Sequence, residues 1–580
     1  MYTSIRTHSH FSLLASSAKA EKIAKTCVGL GQKSCVLTDY NCLSGAISFG
    51  RELGKVGVKP IYGVRILTPT MKYVSLIAKN LQGWKQLISL VSYANEQKNI
   101  VSYKPTLTVD EIIEAMKSGN LILTFGGIDS SHENDSVARL LSSVKHEDMF
   151  AEIESPADKI TAHIRSLPLR KVAAKPVFYA TRKDAIEHRV LLASNEKSTI
   201  EQINRQRLRG NSSWMDRFFA EDIYNLSSIN ELKEFGFLDD EISNTQIIDE
   251  MCEAYKITNR PSLPKFDCPN GMDEDAYVRQ LCRDGWKQKR LKSWDEKTYV
   301  DRINKELGVI SEASLPGYFL IVRDFIQHAK DNGWLIGAAR GSGAGSLVAY
   351  LLGITCIDPI PFDLLFERFY NAGRNTKDKV SYPDIDVDVP VHKRQLIIDY
   401  IRGKYGADRV CHIATFGSLQ GKGAIKEVLR VHNVCEAKEI DHITAQIPPE
   451  FQIMDALEES GEESVLRWTL ENEPSNLSDW VFLNDDGTLG GQYAEYFEQA
   501  INLEGVYKSR GKHPSGIIIS PSSLDAICPM MWDIKSEEKI AGMNMGDLEE
   551  LGLVKFDVLG LLALDKLMGV RNLLLRGKIE

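Results

Sequence analysis

The chain has 580 residues, of which 43% are hydrophobic and 26% are charged, and its formal net charge is −9 at neutral pH. This length predicts several domains, and the composition is typical of a globular protein. No apolar run approaches the ~18 residues of a membrane span, and the polar start MYTSIRTHSH lacks the apolar core of a signal peptide. The ten cysteines form no C-x-x-C pair, which argues against a zinc ribbon or a disulfide framework and favours a cytoplasmic protein without membrane contact.

Residues 1–190 alternate short apolar runs with helical segments. The runs SCVLTDY, KPIYGVRIL, YVSLIA, NLILTFGG, FAEI and PVFYAT predict strands, and AKAEKIAKTCVGLG predicts a helix that ends at a glycine. This alternation predicts an α/β domain with mostly parallel strands. Residues 191–261 are mainly helical and charged, and NRPSLPKFDCPNG predicts a linker. A second α/β region, an acidic helical stretch and a return of strand patterns follow.

The segment WLIGAARGSGAGSLVAYLLGI predicts a strand, a glycine-rich loop and a helix. Small residues let backbone N–H groups approach a phosphate, and the N-terminus of the next helix would face the same anion. The loop matches neither the Walker A motif nor the dinucleotide fingerprint. The alternative is a tight turn that is packed for steric reasons.

The segment SYPDIDVDVP places Asp384, Asp386 and Asp388 at alternate positions. In a strand these carboxylates share one face, and the intervening apolar residues would face a core. Like charges this close repel one another and raise their pKa values unless divalent cations bind between them. The alternative is a solvated edge strand whose charges oppose aggregation.

Positive charge follows directly after the aspartates. Between residues 391 and 434 three acidic residues oppose eight basic ones, namely Lys393, Arg394, Arg402, Lys404, Arg409, Lys422, Lys426 and Arg430. This local excess predicts a phosphate-binding surface, although an ordinary solvated face is the alternative. Downstream, LVKFDVLG places Lys555 and Asp557 on one strand face. A phosphate cradle, paired aspartates and a remote aspartate together predict phosphoryl transfer with two metal ions.

The chain resembles the C-family of replicative DNA polymerases, the family of bacterial DNA polymerase III alpha subunits. The resemblance rests on GYFLIVRDFIQHAKDNG, GSGAGSLVAYLLGIT, IDPIPFDLLFERFYN, PDIDVDV, ATFGS, GKHPSGIII and LEELGLVKFDVLGL, which occur in the family's order. It implies an α/β multidomain protein with a PHP-like α/β barrel, a nucleotidyltransferase-type palm and a small helical thumb. The implied boundaries are a PHP domain over 1–190, a helical extension and linker over 191–261, a palm over 262–433 and 506–565, a thumb over 434–505, and the start of a fingers region over 566–580.

The resemblance also implies site residues. The catalytic and metal-binding aspartates fall on Asp384, Asp386 and Asp557, with two Mg²⁺ ions as cofactors and Mn²⁺ as a substitute. Asp388 and Lys555 would be auxiliary. The triphosphate of a dNTP would meet Arg340, Gly341, Ser342 and Ser346. Primer–template DNA would meet Lys393, Arg394, Lys422, Lys426, Arg430, Lys508, Arg510 and Lys512.

The sequence departs from the family's pattern in the PHP domain. His8, His10 and Asp39 remain at metal-ligand positions, but Tyr40 and Tyr73 stand where the family has histidines, and Arg65 stands where it has a glutamate. A fixed cation at a ligand position repels a metal. We therefore expect a scaffold without a metal cluster and without exonuclease activity.

The family continues beyond this point with fingers, a clamp-binding region and an OB domain, whereas 20 residues follow Gly560 here. We expect a second polypeptide or a continuation to supply these parts and, through them, contact with a sliding clamp. The final segment predicts an amphipathic helix whose apolar residues would meet that partner, namely Leu561, Leu562, Leu564, Leu567, Met568 and Val570. Two alternatives stay open: an idle polymerase relative that acts as a DNA-binding or regulatory partner, and a PHP-type phosphoesterase.

Overall fold

The computed structural model describes residues 2–127, 134–209, 215–292, 294–371, 373 and 382–576. The chain divides into two compact units. Unit 1 comprises Met1–Lys256 and Phe416–Gly511, and unit 2 comprises Ile257–Thr415 and Lys512–Glu580. Both units contain strands and helices, so the expected mixed α/β multidomain organisation is confirmed.

The strands of the described residues number in chain order. They are β1 (Ser4–Thr7), β2 (Ser34–Tyr40), β3 (Lys59–Thr68), β4 (Lys72–Ala78), β5 (Ile100–Val101), β6 (Lys104–Pro105), β7 (Leu121–Gly126), β8 (Met149–Ile153), β9 (Arg170–Ala173), β10 (Asp386–Val389), β11 (Val410–Ser418), β12 (Phe482–Leu483), β13 (Leu489–Gly490), β14 (Tyr507–Ile519), β15 (Met530–Asp533), β16 (Glu538–Ala541) and β17 (Lys555–Gly560).

The helices follow the same convention. They are α1 (Ala20–Gly29), α2 (Ala46–Lys55), α3 (Leu81–Ala94), α4 (Val109–Met116), α5 (Asn134–Ser143), α6 (Lys159–Ser166), α7 (Ala185–Asn195), α8 (Ile200–Leu208), α9 (Asp216–Ala220), α10 (Ile229–Glu234), α11 (Asp239–Ser243), α12 (Thr245–Met251), α13 (Glu274–Lys289), α14 (Glu296–Glu312), α15 (Pro316–Asp331), α16 (Leu347–Leu351), α17 (Phe366–Phe369), α18 (Val391–Tyr405), α19 (Gly421–His432), α20 (Ala437–Ala445), α21 (Glu450–Ser460), α22 (Val465–Asn472), α23 (Ala494–Leu503), α24 (Met545–Glu550) and α25 (Leu562–Arg576). None of these helices combines the length and the apolar character that crossing a membrane requires.

A curled half-barrel sheet forms the centre of unit 1. Its strand order is β1-β2-β3-β4-β7-β8-β9, with parallel pairing except on the two sides of β4. The strands are buried along almost their whole length, as expected for a sheet that helices cover. The predicted strand PVFYAT forms only isolated bridges, from Val177 to Thr7 and from Tyr179 to Asn225. The preceding residues Arg170–Ala173 form β9 instead.

The structure groups residues 416–433 with a different part of the chain than the sequence-based domain boundary did. We placed them in the palm, but they fall in unit 1 together with 434–505. The apolar face of α19 explains this grouping, because Ile425, Val428 and Leu429 are buried in one cluster with residues of α7 and α23. The helix therefore gains its burial from the helical part of unit 1.

Unit 2 contains a six-stranded sheet with the order β10-β17-β14-β11-β16-β15. Strands β10 and β17 are parallel, and β14 pairs with β17 in the antiparallel direction. Ile385, Val387 and Val389 lie in a hydrophobic cluster with α15 and α18. The alternate residues of the aspartate segment therefore anchor it in the core, as the strand pattern predicts.

A buried ion pair lies within the curled sheet of unit 1. Arg65 is fully buried, and its Nη1 lies 3.0 Å from both carboxylate oxygens of Glu152 and 2.7 Å from Ser75 Oγ. Arg6 Nη1 lies 3.8 Å from Glu152 and donates to Glu154 at 2.9 Å. The guanidinium at the predicted ligand position thus has a protein carboxylate as its counterion.

We expect Arg65→Met to lower the free energy of unfolding by about 3–5 kcal/mol, because Glu152 would lose its main buried counterion. Urea unfolding followed by circular dichroism measures the change. The double variant Arg65→Met/Glu152→Gln should recover part of the loss, and Lys117→Met, which removes an exposed ion pair, should cost less than about 1 kcal/mol. A loss below about 1 kcal/mol for Arg65→Met would contradict the role given to the pair.

Candidate active site

Three carboxylates converge where β10 and β17 run side by side. The strands pair with Asp386 directly opposite Asp557, and Asp384 precedes Asp386 by two residues on the same face. Each of the three offers a ligand oxygen, and these oxygens lie within 4.8 Å of one another. Among the residues that the structure describes, no other group of three or more His, Cys, Asp and Glu side chains meets this spacing. The structure thus brings together the three predicted metal ligands.

The neighbourhood favours the neutral form of two of these acids. Burial raises the pKa of Asp384; the charge of Lys555 opposes this shift, and the carboxylates of Asp557 and Asp386 add to it. Burial likewise raises the pKa of Asp386, with a further upward contribution from Asp557. A bound divalent cation would reverse this tendency, because it stabilises the ionised form. The group therefore has the electrostatic character of a site for cations.

Lys555 and Ser515 hold the carboxylate of Asp557. Lys555 Nζ lies 2.6 Å from Oδ2, and Ser515 Oγ donates to Oδ1 at 3.0 Å. Burial lowers the pKa of Lys555, but its hydrogen bond to Asp557 and the nearby carboxylate charges outweigh burial, so that the net direction is upward. The structure thus places Lys555 as the sequence predicts, and it adds Ser515, which sequence reasoning missed although it lies within the quoted motif GKHPSGIII.

Asp388 has a different partner from the other aspartates. Arg340 Nε donates to Asp388 Oδ1 at 2.9 Å, and Gly337 N–H donates to the backbone carbonyl of Asp388 at 2.9 Å. A Cβ at Gly337 would lie 2.6 Å from that of Asp388, so only glycine fits there. Asp388 therefore joins the glycine-rich loop to β10 and is not a member of the three-carboxylate group.

The glycine-rich loop lies beside the carboxylates. Gly341–Gly345 form a short 3₁₀ helix, Gly341 has a φ of +60°, and a Cβ on it would lie 3.7 Å from Asp386 Oδ2. Gly341 and Ser342 are exposed. The strand expected at WLIG is not formed among the described residues. This segment contacts β10 through the hydrogen bond from Gly337 N–H to the carbonyl of Asp388. The loop is positioned to meet a ligand of the carboxylate site.

Ser346 does not face that ligand, which corrects the predicted phosphate contact. Its side chain is fully buried, and its Oγ donates to Glu306 Oε2 at 2.8 Å. Leu347 N–H and Val348 N–H also donate to Glu306, each at 3.0 Å. The N-terminus of the five-residue helix α16 is thus satisfied by a buried protein carboxylate and offers no free donors there for a phosphate. No sequence signal pointed to Glu306.

The predicted DNA-binding residues fall in both units. In unit 2, Arg394 Nε donates to the carbonyl of Val558 at 2.9 Å, Lys393 Nζ lies 5.5 Å from the Trp334 ring centre, and Lys512 pairs with Glu538 at 2.6 Å.

In unit 1, Lys426 pairs with Asp441 at 3.0 Å, and both Lys508 and Arg430 contact Glu427. Lys422 is partly exposed and Arg510 is exposed. Part of the local positive excess is therefore neutralised by acids that lie outside the counted window.

The residues at the expected PHP site have protein partners. His8 stacks between Tyr40 and Phe178, with ring centres 4.4 and 4.7 Å away. His10 packs on Tyr507 at 4.7 Å, and burial lowers its pKa to about 4.

Asp39 is also enclosed. It accepts hydrogen bonds from Ser9 N–H and Oγ, each at 2.6 Å, and from Ser12 Oγ at 2.7 Å. Burial raises its pKa to about 6. His8 and His10 therefore lie among aromatic rings, whereas Asp39 is held by serine hydroxyls and a backbone N–H.

Comparisons with known proteins agree with this arrangement. The bacterial DNA polymerase III alpha NTPase domain matches residues 276–560, and the PHP domain matches residues 4–166. The DNA polymerase III alpha subunit of Pseudomonas fluorescens is 30% identical over 593 residues, covering 97% of this chain and 48% of that relative. That of Pseudomonas aeruginosa is 31% identical over 595 residues, covering 97% and 47%.

The corresponding subunit of Escherichia coli K12 is 30% identical over 596 residues, covering 97% of this chain and 48% of that relative. The chain thus spans about half the length of the curated relatives it matches. The chain thus contains the PHP domain and the bacterial DNA polymerase III alpha NTPase domain, and over 97% of its length it is homologous to DNA polymerase III alpha subunits.

Proposed function

We propose that this chain carries the catalytic site of a DNA-directed DNA polymerase. The observation that carries the proposal is the convergence of Asp384, Asp386 and Asp557 within the matched polymerase domain. The reaction would add a dNTP to the 3′-hydroxyl of a primer on a template and release pyrophosphate. An idle relative would not need these three carboxylates. A PHP-type phosphoesterase would need a second group of metal ligands, and none is found among the described residues.

The three aspartates would hold two Mg²⁺ ions, with Mn²⁺ as a substitute, because Mg²⁺ prefers oxygen ligands and binds a few carboxylates together with substrate phosphates. When bound, such ions activate the attacking oxygen and stabilise charge on the leaving group. The chain's own residues would orient the ligands. Lys555 and Ser515 hold Asp557, and Tyr318, whose Oη accepts from Ile385 N–H at 3.2 Å, holds the backbone between Asp384 and Asp386.

The glycine-rich loop would bind the triphosphate of the dNTP. Gly341 and Ser342 are exposed beside Asp386, and the Arg340 side chain is 44% exposed although it pairs with Asp388. Arg340 would thus offer its remaining donors to an anion while Asp388 fixes its direction. Ser346 takes no part in this contact.

The contacts with primer–template DNA would use the basic residues. Lys393, Lys422 and Arg510 remain candidates for backbone phosphates, together with the paired cations Arg394, Lys426, Arg430, Lys508 and Lys512. The proposed thumb, residues 434–505, has seventeen acidic residues against Lys438 and Arg467 as its two basic ones. Because phosphate repels carboxylates, broad contact between this segment and DNA is disfavoured.

We propose that a continuation or a second polypeptide supplies the remaining parts of the enzyme, including fingers and any contact with a sliding clamp. The length of the relatives supports this. Helix α25 offers a surface for it, because Leu562, Leu567 and Val570 are exposed whereas Leu564 and Met568 are buried. Of the six residues in the predicted apolar stripe, two thus pack within the chain, Leu561 is partly buried, and three are exposed for a partner.

We expect Asp384→Asn, Asp386→Asn and Asp557→Asn each to reduce nucleotide incorporation by the assembled enzyme to less than about a tenth, because loss of a metal ligand removes several kcal/mol of transition-state stabilisation. Single-turnover primer extension with Mg²⁺ measures this. The control is Asp399→Asn, an exposed acid on α18 that contacts Gln395. A variant that keeps more than a tenth of the rate would not be a ligand.

We expect unit 1 to bind no cluster of metal ions and to remove no nucleotides from a primer 3′ end. The reason is that Arg65 and its carboxylate partner stand at the predicted ligand position. Metal analysis of the purified chain after incubation with Zn²⁺ or Mn²⁺ tests the first part, with Asp557→Asn as background. Two or more ions per chain in that variant, or exonuclease products, would contradict the expectation.

We expect residues 1–580 alone to extend a primed template slowly, because the proposed continuation or second polypeptide would supply part of the dNTP pocket. Extension rates with and without a candidate C-terminal chain test this. Rapid, template-directed synthesis by 1–580 alone would show that these residues suffice.

A further inference from the structure

A histidine side chain holds residues 513–516 of β14, the strand that pairs with β17 beside Asp557. His513 Nδ1 accepts hydrogen bonds from Gly516 N–H at 2.6 Å and from Ser515 N–H at 3.2 Å. Pro514, which lies between them, has no N–H to offer. Because two donors converge on Nδ1, this nitrogen must carry a lone pair, and the ring proton must lie on Nε2.

This segment of β14 places the hydroxyl of Ser515 beside Asp557. Gly516 pairs with Asp557 across β14 and β17, and the adjacent Ser515 Oγ donates to Asp557 Oδ1 at 3.0 Å. Lys555 Nζ holds Oδ2 on the other side. Each carboxylate oxygen keeps a second lone pair, so the clamp orients the group without removing its capacity to bind a cation.

The residue at 516 must be glycine for the imidazole ring to lie over this segment of β14. A Cβ at Gly516 would lie 2.9 Å from His513 Nδ1 and 3.1 Å from Ile413 Cδ1. The first of these is shorter than a normal contact, so a larger residue would displace the imidazole. Burial lowers the pKa of His513, which agrees with a neutral ring, although the charge of Asp557 opposes the shift.

We propose that His513 is a positioning residue for the metal-binding carboxylate of Asp557 and acts through Ser515. The inference rests on the proposed metal-dependent function of the aspartates. Nδ1 holds the two backbone N–H groups, the strand segment that carries them aims the Ser515 hydroxyl, and the hydroxyl sets the rotation of the carboxylate. Groups that orient a metal ligand typically change metal affinity when they are lost.

The test measures the Mn²⁺ affinity of the full 1–580 chain by electron paramagnetic resonance of the free ion. His513→Asn places an amide oxygen near the position of Nδ1, and His513→Gln places it near Nε2. We expect His513→Gln to weaken Mn²⁺ binding about tenfold or more and His513→Asn to restore most of the affinity. His442→Gln, at an exposed position of α20, is the control. Equal affinities for the Asn and Gln variants would overturn the proposal.

Two further variants keep the proposal testable if His513→Gln fails to fold. Gly516→Ala should weaken Mn²⁺ binding as His513→Gln does, and so should Ser515→Ala. The double variant Gly516→Ala/Ser515→Ala should lose no more than Ser515→Ala alone, because both changes remove the same hydrogen bond. Additive losses, or wild-type affinity in Gly516→Ala, would overturn the proposal.

The unsubstituted chain and Asp557→Asn separate this inference from the proposed function. If Asp557→Asn weakens Mn²⁺ binding but the His513, Gly516 and Ser515 variants do not, the positioning role alone is wrong. If Asp557→Asn binds Mn²⁺ as tightly as the unsubstituted chain, or neither binds it, the proposed metal site is wrong and the inference falls with it.

Discussion

The parallel pairing of β10 with β17 is the interaction on which the site depends. One register brings Asp386 opposite Asp557 and buries Val387, Val389 and Val558 in the core of unit 2. A shift by one residue would turn the carboxylates into the core and the valines towards solvent. Burial of each such apolar side chain contributes about 1.5–3 kcal/mol, so the apolar residues fix the register that the charged ones require.

The same register has an electrostatic cost. Two unit charges about 4 Å apart repel by about 4 kcal/mol at an effective dielectric constant of 20. This is similar to the gain from one or two buried side chains, so the carboxylate group needs compensation from its neighbours. Lys555 supplies a positive charge, Ser515 supplies a hydrogen bond, and Arg340 holds Asp388 apart from the group. Burial raises the pKa values of Asp384 and Asp386, and the charge of Asp557 adds to both shifts.

The period-two pattern of SYPDIDVDVP predicted which residues share a face, and the resemblance predicted Asp557 as the third ligand. Both sequence arguments failed for contacts that depend on distant parts of the chain. Glu306 occupies the N-terminus of α16, and nothing in the loop motif indicates it. The partners of Lys426 and Arg402, namely Asp441 and Glu538, lie outside the basic segment, so a local charge count overestimated the free positive charge. PVFYAT has strand propensity, but it forms isolated bridges, because β-propensity reflects context more than sequence.

The buried pair of Arg65 and Glu152 makes its contribution to the stability of the curled sheet independent of metal ions. A domain whose fold is completed by bound metal ions gains stability with the logarithm of the free ion concentration, and it loses that stability in a chelator. A guanidinium is part of the covalent chain and stays charged at any physiological pH. This pair therefore contributes the same stability whether metal ions are abundant or scarce. The proposed cation site of unit 2 would then respond to the concentration of divalent ions, while this pair in the sheet of unit 1 would not.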